Sequence, residues 1–254
     1  MRNLFSPNVR PLLAEFCREP HELICAFDFD GTLAPIVAQP GASRMHVEVE
    51  SRLRALAGRC SVVVISGRSV ADLQERVRIP GIQLVGNHGM ESPFVHEEAL
   101  ALSRASSETW RVLLEESGMK ALQGVELENK TYSLALHYRH SPRRAAAKAK
   151  LVALAGGLVP LPRLVGGKEV LNLVHPALPH KGTALTSFQA SLARRRSLYV
   201  GDDVTDEDVF ALVSPELWSI RVGRGGASLA RFFIPRQRDV RRLLDLLLEL
   251  IPET

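Results

Sequence analysis

The sequence predicts an α/β protein built on a parallel β-sheet with helices on both faces. Short apolar runs that end in polar or glycine residues alternate with helix-like stretches along most of the 254 residues. This alternation is typical of parallel sheets, whose strands are joined by crossover helices. A middle region, residues 103–176, has neighbouring strands instead and predicts a small α+β domain inserted into the sheet domain.

Five apolar runs are predicted to be the strands of the parallel sheet. They cover residues 23–27, 61–65, 82–86, 197–201 and 219–223. The helices predicted between and after them cover residues 45–58, 69–78, 182–193, 204–213 and 239–250. Ligands bind beyond the carboxyl ends of the strands in such sheets. The polar residues that end the five runs are therefore expected to gather at one edge of the sheet and form a site.

The middle region follows a different order of elements. The pattern predicts a helix at 105–117, strands at 123–128 and 131–138, a helix at 142–155, and strands near 158–164 and 169–174. Because its first two strands are adjacent in sequence, a hairpin is expected. We therefore predict a sheet domain formed by residues 1–102 and 177–254, with the α+β domain at 103–176 inserted into it.

The composition is that of an ordinary globular protein, with 46% hydrophobic and 24% charged residues. The formal net charge is +4, and basic residues cluster at 141–150, 193–197 and 236–242. We interpret these clusters as solvated helix faces and loops. Nucleic-acid binding is the weaker interpretation, because no recognised nucleic-acid motif and no run of interleaved aromatic residues accompanies them.

The cysteines and the apolar runs of the sequence indicate in which cellular compartment the protein is expected. The three cysteines form no CxxC pair, which argues against a zinc site or a disulfide framework and fits a reducing compartment. Pro7 and Pro11 interrupt the start of the chain, and no apolar run approaches the ~20 residues of a membrane span. We expect a cytoplasmic monomer with no membrane partner and no nucleic-acid partner.

Two aspartates follow the first apolar run, in the stretch "CAFDFDGTLAPI" of residues 25–36. Residues i and i+2 of an extended strand point the same way, so Asp28 and Asp30 are predicted to face one point. Two nearby carboxylates repel each other unless a cation or a shared proton intervenes, and Mg²⁺ is a hard cation that prefers oxygen ligands. The alternative is a turn in which an aspartate caps a helix.

A second acidic cluster follows the run at 197–201, where five of the seven residues from Asp202 to Asp208 are acidic. Carboxylates are favoured at helix N-termini, so capping is the simpler alternative for one or two of them. Capping does not require five. We therefore predict that Asp202 lies beside Asp28 at the edge of the sheet and completes a metal site.

A hydroxyl group and a lysine complement the acids. Ser66 and Gly67 end a strand and offer a hydroxyl and backbone N–H groups, while Lys181 begins a helix, a position that suits phosphate. Taken singly, a residue like Ser66 is more often a turn residue, and one like Lys181 is more often a surface lysine. With the aspartates they form the chain order acid, hydroxyl, lysine, acid.

This order resembles the four motifs of the haloacid dehalogenase (HAD) superfamily of phosphotransferases. The matching residues are the DxDxT motif at 28–32, Ser66, Lys181 and "GDDVTDED" at 201–208. Five stretches further resemble the trehalose-6-phosphate phosphatase family: "GNHGME" (86–91), "VELENKTYSLALHYR" (125–139), "GGKEVLNL" (166–173), "HKG" (180–182) and "GDDVTDEDVF" (201–210). The resemblance implies a Rossmann-like HAD catalytic core and a C2-type α+β cap domain for sugar recognition at 103–176.

The resemblance also implies an activity, the Mg²⁺-dependent hydrolysis of trehalose 6-phosphate through an aspartyl-phosphate. In this family pattern Asp28 is the nucleophile and Asp30 the acid/base. The resemblance also implies that Thr32 orients Asp30 and that Ser66 and Lys181 hold the phosphate. The implied ligands of Mg²⁺ are Asp28, the backbone carbonyl of Asp30, and Asp202. Asp203 and Asp206 are implied to support these ligands from behind.

The implied contacts to the sugar phosphate substrate come mainly from the cap. They are Glu128, Lys130, Arg139, Lys168 and Asn172, with His88 and Gly67 on the core side. Glu128 and Lys130 as plain hairpin-surface residues, and Arg139 as the partner of a structural acid, remain alternatives. The family usually has a glutamate where this chain has Asn172, and asparagine binds a sugar hydroxyl without supplying a carboxylate.

Two rival functions remain at this point. One is another capped HAD phosphatase that acts on sucrose phosphate or a mannosyl-phosphoglycerate, for which Asn172 leaves room. The other is a non-catalytic sugar-phosphate sensor, which the acid/base candidate Asp30 argues against, since a sensor needs no proton transfer.

Overall fold

The computed structural model describes residues 1–37, 39–167, 169–176 and 178–253. The chain divides into two compact units, one formed by Met1–Phe94 with Pro179–Thr254 and the other by Val95–Leu178. None of the helices in the described part of the chain combines the length and the apolar character that a membrane span requires.

The elements follow one another in α/β order, with an antiparallel group in the middle. In chain order the described strands are β1 (Arg2–Asn3), β2 (Leu23–Phe27), β3 (Ser61–Ile65), β4 (Gln83–Val85), β5 (Glu126–Asn129), β6 (Ser133–His137), β7 (Arg163–Gly167), β8 (Val170–Val174), β9 (Arg196–Gly201), β10 (Leu217–Val222) and β11 (Phe232–Ile234). The described α-helices are α1 (Arg10–Phe16), α2 (Val47–Ala57), α3 (Val70–Arg76), α4 (Glu97–Glu116), α5 (Arg144–Ala155), α6 (Lys181–Ser191), α7 (Glu207–Phe210) and α8 (Val240–Leu250).

The first unit is organised around a parallel sheet with the strand order β1-β11-β10-β9-β2-β3-β4. Central strand β2 is apolar throughout because both of its faces are covered. Cys25 and Phe27 belong to the core cluster that includes residues of α2 and α8. Ile24 and Ala26 belong to the cluster on the other face, which includes residues of α6 and α7.

The second unit has its own antiparallel sheet, with the order β5-β6-β8-β7, and its own core. One face of this sheet carries leucines such as Leu134 and Leu173, which belong to a buried cluster with Trp110 of α4 and Leu151 of α5. Trp110 also donates its indole N–H to the backbone oxygen of Pro160, at 2.7 Å. A polar group on the largest buried side chain of this core is thereby satisfied.

The predicted α/β class, a parallel sheet with helices on both faces plus an α+β region, is confirmed. Among the described strands and α-helices, three were not predicted: β1, β11 and α1. The two strands are two and three residues long and extend the sheet at one edge. Runs of this length do not show a resolvable alternation, so the sequence pattern cannot reveal them.

Several predicted boundaries differ by one to three residues, and three predicted elements differ by more. Helix α4 begins at Glu97 rather than at 105, with Glu97 and Glu98 placed favourably in its first turn. Strand β7 begins at Arg163 rather than near 158, because Pro160 and Pro162 lack the N–H groups a strand needs. The helix predicted at 204–213 is a 3₁₀ turn followed by the short α7.

Candidate active site

Neighbouring strand ends of the first unit bring the predicted core residues together. Asp28 follows β2 and Asp202 follows β9, and these two strands are paired in the sheet. Ser66 follows β3 on the other side of β2. Because the strands are parallel, all three residues lie at the same edge of the sheet.

Lys181 joins the two acidic motifs. Its ammonium nitrogen Nζ lies 2.9 Å from Oδ1 of Asp28 and 2.7 Å from Oδ1 of Asp206, and all three side chains are buried. Burial acts to lower the pKa of Lys181, but the Asp206 and Asp28 carboxylates outweigh it and the pKa is raised. The amine is therefore a fixed cation at the centre of the site.

The lysine is fixed from the main chain as well. It is the first residue of α6, and the residue before it, His180, accepts a hydrogen bond from the Gly182 amide through its side chain. Thr183 completes the capping box by accepting a hydrogen bond from the His180 backbone N–H at 2.8 Å. These bonds satisfy amides of the first turn and set the direction from which Lys181 enters the site.

Asp206 is a buried anchor rather than an open ligand. Its Oδ1 accepts hydrogen bonds from Lys181 and from the Tyr199 hydroxyl, the latter at 2.6 Å. Its Oδ2 accepts from the backbone N–H groups of Asp202 and Asp203, both at 2.8 Å. Four donors occupy this carboxylate, which fixes the backbone that carries Asp202.

Asp202 lies against the loop that follows β2. Its Oδ1 accepts a hydrogen bond from the Thr32 hydroxyl at 3.2 Å. Gly31 approaches so closely that a β-carbon at this position would stand 2.1 Å from Oδ2 of Asp202. Burial, together with the charges of Asp206 and Asp203, raises the pKa of Asp202 to about 7.

The carboxylates of Asp28, Asp202 and Asp206 converge, with one oxygen of each lying within 4.8 Å of the others. Burial and the neighbouring carboxylates raise the pKa of Asp28 well above its ordinary value, although Lys181 opposes them. Three carboxylates therefore face one ammonium in a largely dry place, which leaves excess negative charge. A divalent cation that binds oxygen would remove this imbalance, so the donor set fits such an ion.

Asp30 does not point to this cluster. Both of its carboxylate oxygens are hydrogen-bonded to the guanidinium of Arg68, from Nε to Oδ2 at 2.5 Å and from Nη2 to Oδ1 at 2.8 Å. The side chain of Asp30 is more open than that of Asp28, with exposed fractions of 37% and 6%. Asp28 and Asp30, predicted to face one point, therefore contact different partners.

Ser66 and Gly67 form a tight turn with the loop at 86–91. The Ser66 hydroxyl accepts from the Arg68 backbone N–H at 3.2 Å, and its backbone oxygen accepts from the His88 N–H at 2.8 Å. A β-carbon on Gly67 would lie 2.5 Å from the imidazole of His88. Glycine at 67 thus allows the His88 ring to lie directly against the turn.

Asp203 is exposed, and its carboxylate accepts a hydrogen bond from the Val204 N–H at 2.6 Å. It therefore caps the 3₁₀ turn that follows, which is the role that the helix-capping alternative assigns to acids of this cluster.

The second unit brings some of the predicted sugar-binding residues together. Glu128 and Asn172 lie opposite Ala135 of β6, on either side of it, and share one face of the sheet. His137 lies on the same face and its Nε2 is 2.8 Å from the Glu128 carboxylate, while its Nδ1 is 3.3 Å from Arg139. The Asn172 amide donates to the Val165 backbone oxygen at 3.2 Å.

Two further residues of the sequence were predicted to contact the sugar. The Lys130 side chain is exposed, next to the hairpin turn. Lys168 lies outside the described residues.

Sequence reasoning gave no role to four residues that the structure places in these networks: Arg68, Glu91, Tyr199 and His137. A tyrosine within an otherwise apolar strand was a usable signal, because a buried hydroxyl needs a hydrogen-bond partner. Arg68 was also visible as a cation directly after the Ser66–Gly67 pair. No pattern indicated that its partner would be Asp30.

Comparison with known families agrees with the site. A sequence model of the family described as trehalose-phosphatase matches residues 26–228. The chain is 35% identical over 208 residues to a trehalose-phosphate phosphatase of Mycobacterium ulcerans, covering 77% of this chain and 53% of that protein. It is 36% identical over 198 residues to the corresponding protein of Mycobacterium avium, covering 74% and 50%. The chain thus spans about half the length of the curated relatives it matches.

Solved structures extend the similarity to the fold. The trehalose-6-phosphate phosphatase of Aspergillus fumigatus superposes with a TM-score of 0.70 at 26% identity, covering 98% of this chain and 99% of that one. The C-terminal domain of the Candida albicans trehalose-6-phosphate phosphatase gives a TM-score of 0.75 at 22% identity, covering 94% and 96%. The second similarity concerns the fold alone.

Proposed function

This chain belongs to the trehalose-phosphatase family, and from that premise we propose that it hydrolyses trehalose 6-phosphate to trehalose and inorganic phosphate. The observation that carries the proposal is the buried Lys181 ammonium held between Asp28 and Asp206, beside Asp202. A cation and a set of carboxylates at the ends of adjacent parallel strands suit the transfer of a phosphoryl group, in which charge must be both attracted and neutralised.

Asp28 is the proposed nucleophile. Its carboxylate attacks phosphorus in line with the departing sugar oxygen, which forms an aspartyl-phosphate. The attack brings a carboxylate toward a phosphate dianion, and the Lys181 ammonium, 2.9 Å from Asp28, offsets this repulsion. Ser66, which lies at the same edge of the sheet, is the proposed contact for a phosphate oxygen through its hydroxyl.

Mg²⁺ is the proposed cofactor, held by Asp28, Asp202 and the backbone carbonyl of Asp30. When bound, it supplies positive charge that neutralises the phosphate and its carboxylate neighbours. Asp206 is already occupied by four donors, which supports a role behind the ligands rather than among them. Asp203 lies at the same turn and supports it as a cap.

Asp30 is the proposed acid/base. It donates a proton to the leaving sugar oxygen and then takes a proton from the water that hydrolyses the aspartyl-phosphate. Thr32, which was expected to orient Asp30, hydrogen-bonds Asp202 instead, so we assign it to positioning that carboxylate.

The division of the chain suggests a division of roles. We assign phosphoryl transfer to the catalytic core, Met1–Phe94 with Pro179–Thr254, and sugar recognition to the second unit, as its cap. The proposed sugar contacts are Glu128, Lys130, Arg139, Lys168 and Asn172, with His88 and Gly67 on the side of the core. The protein is proposed to act in the cytoplasm as a monomer, and gel filtration tests the second point.

A phosphate-release assay tests the proposed function. With Mg²⁺, the protein should release phosphate from trehalose 6-phosphate much faster than from glucose 6-phosphate, and chelation of the metal should stop both reactions. Asp28→Asn should abolish turnover while the circular dichroism spectrum stays that of the wild type. Equal rates on the two sugars would remove the substrate assignment, and an active Asp28→Asn variant would remove the nucleophile.

Asn172 is the reason to propose a second class of substrate, other sugar phosphates, as an alternative. An amide at this position recognises a sugar hydroxyl differently from a carboxylate, and its N–H already binds Val165 in the cap sheet. Sucrose phosphate and a mannosyl-phosphoglycerate therefore belong in the same assay. Tight binding of trehalose 6-phosphate without phosphate release would instead favour a sensor.

A further inference from the structure

Arg68 connects the acid/base candidate to a second carboxylate. Its guanidinium donates to both oxygens of Asp30 and, through Nη1, to Oδ2 of Asp72 at 2.7 Å. The guanidinium carbon also lies 5.6 Å from the centre of the Phe29 ring. Only 13% of the Arg68 side chain is exposed, compared with 37% of Asp30. The arginine is therefore the fixed partner and Asp30 the freer one.

The arginine is fixed at both ends. Its backbone N–H donates to the Ser66 hydroxyl, and its backbone oxygen accepts from Asn87 at 2.8 Å. At the other end Asp72 is held by a second guanidinium, that of Arg76, with bonds of 2.9 and 2.7 Å. A bidentate guanidinium–carboxylate pair adds directional preference to attraction, which a point charge does not give.

We propose that Arg68, braced by Asp72, is the positioning residue for the acid/base Asp30. This inference rests on the proposed function, because it assigns Arg68 a part in the same reaction. Its physical basis is that an acid/base must keep its oxygens within hydrogen-bond reach of the reacting atom, and a half-exposed carboxylate does not do so unaided.

Arg68 can stay bound to Asp30 through the bond and proton changes of both reaction steps. In the first step the bond between Asp28 and phosphorus forms, the bond between phosphorus and the sugar oxygen breaks, and that oxygen receives the proton of neutral Asp30. While protonated, Asp30 keeps one hydrogen bond from Arg68 and directs its other oxygen to the sugar. The carboxylate that results regains both bonds. In the second step it takes a proton from water while the water oxygen bonds to phosphorus and the bond between phosphorus and Asp28 breaks. Arg68 itself exchanges no proton.

A leaving-group series separates this role from general support of the fold. p-Nitrophenolate departs without a proton, whereas a sugar alkoxide needs one, so loss of the acid slows the two substrates unequally. The series is p-nitrophenyl phosphate, phenyl phosphate, glucose 6-phosphate and trehalose 6-phosphate, each assayed with Mg²⁺. The readout is the dependence of kcat/KM on the leaving-group pKa for the wild type and for Arg68→Gln, because kcat/KM reports the step in which the leaving group departs and not the later hydrolysis that all four esters share.

Arg68→Gln is expected to lose about tenfold or more in kcat/KM on the two sugar phosphates relative to its loss on p-nitrophenyl phosphate. Arg68→Lys should recover part of that loss, since an ammonium attracts Asp30 without the bidentate geometry. Asp72→Asn should show the same pattern with a smaller amplitude. Arg54→Gln is the control, because Arg54 forms an exposed ion pair with Glu50 on α2 and should leave the dependence unchanged.

The results that would contradict the role of Arg68 differ from those that would contradict the proposed phosphatase activity. An equal fractional loss on all four esters, or no loss, would reduce Arg68 to a structural residue and overturn the inference alone. A wild type that does not prefer trehalose 6-phosphate overturns the substrate assignment but leaves the Arg68 comparison valid. A wild type that hydrolyses none of the esters overturns both.

Discussion

At the scale of single residues, Gly31 lies directly against the Asp202 carboxylate. Gly31 has φ = +82° and leaves no room for a β-carbon next to Asp202. Gly31→Ala is expected to destabilise the fold, because alanine is strained at positive φ, and also to displace the Asp202 carboxylate. We predict a loss of phosphatase activity and of Mg²⁺-dependent stabilisation, measured by phosphate release and by thermal unfolding with and without the metal.

Gly81 supplies a matched control for this prediction. It has nearly the same dihedral angle, φ = +83°, but a β-carbon there would meet nothing within 4 Å. Gly81→Ala should therefore cost a similar backbone strain, on the order of 1 kcal/mol, and keep its activity. If both variants lost activity in proportion to their stability, the contact between Gly31 and Asp202 would have no role of its own.

The half-buried Asp202 carboxylate makes the metal-free protein sensitive to pH. Its pKa is raised from 3.8 to about 7, so the unfolded chain releases this proton at a lower pH than the folded protein does. A raised carboxyl pKa stabilises the fold at low pH, and this stabilisation is lost as the pH rises through 7. We predict that Asp202→Asn, which keeps the shape without the charge, becomes more stable relative to the wild type between about pH 5 and about pH 8.

Chemical unfolding at several pH values, with a chelator present, measures this difference. Added Mg²⁺ should reverse it at the upper pH, because a ligand that binds only the folded protein stabilises it. The wild type should gain stability from the metal and Asp202→Asn should gain much less. A difference between the two proteins that did not change with pH would contradict the raised pKa assigned to Asp202.

At the scale of elements, the loop at 86–91 is held to the start of α3 by Glu91. Its carboxylate accepts a hydrogen bond from the Val70 backbone N–H and another, at 2.6 Å, from the Asn87 side chain. Asn87 and His88 both have positive φ, 46° and 57°, which is unusual for residues other than glycine. Such a conformation persists only when its surroundings hold it.

Glu91→Ala should therefore release both the loop and the first turn of α3. We expect a loss of about 1–3 kcal/mol in the free energy of unfolding, since two donors lose their acceptor. A higher KM for the sugar phosphate should accompany it, because His88 is then no longer held against Gly67. Glu91→Gln keeps one acceptor oxygen, so its loss of unfolding free energy and its rise in KM should both be smaller. Urea unfolding and steady-state kinetics give the two values, and a KM unchanged in Glu91→Ala would separate the loop from substrate binding.

The sequence predicted the elements whose buried residues follow a regular pattern, and it missed the elements that have no such pattern. Strands β2 and β3 were predicted with their observed bounds, because each is an uninterrupted apolar run that ends in polar residues. In contrast, α7 is four residues long where ten were predicted. The first three predicted residues form a 3₁₀ turn instead, in which the Asp206 carboxylate turns inward to bind Lys181. Local periodicity does not contain that tertiary contact.

At the scale of the whole molecule, the sequence predicted which residues would meet but not how they would be paired. The convergence of Asp28, Lys181 and Asp202 follows from the parallel sheet, because its strand ends share one edge. The pairing of Asp30 with Arg68 depends on side-chain directions after the strand has ended, where the alternation of a strand no longer applies.

The two separate cores suggest that substrate recognition and chemistry can be weakened independently. Leu151 of α5 is fully buried in the core of the second unit, and Leu244 of α8 is fully buried in the first. Replacing either by alanine leaves a cavity that costs about 2–5 kcal/mol. If the second unit recognises the sugar, Leu151→Ala should raise the KM for trehalose 6-phosphate and leave the hydrolysis of p-nitrophenyl phosphate unchanged at temperatures where the first unit stays folded.

Leu244→Ala should instead reduce both reactions together as the temperature rises, because the core it weakens lies under the sheet that carries Asp28 and Asp202. The comparison is made by measuring both substrates for each variant across a range of temperatures, with unfolding followed in parallel. A parallel decline of the two reactions in Leu151→Ala would mean that the chemistry itself requires an intact second unit, and the proposed division of roles between the units would fall.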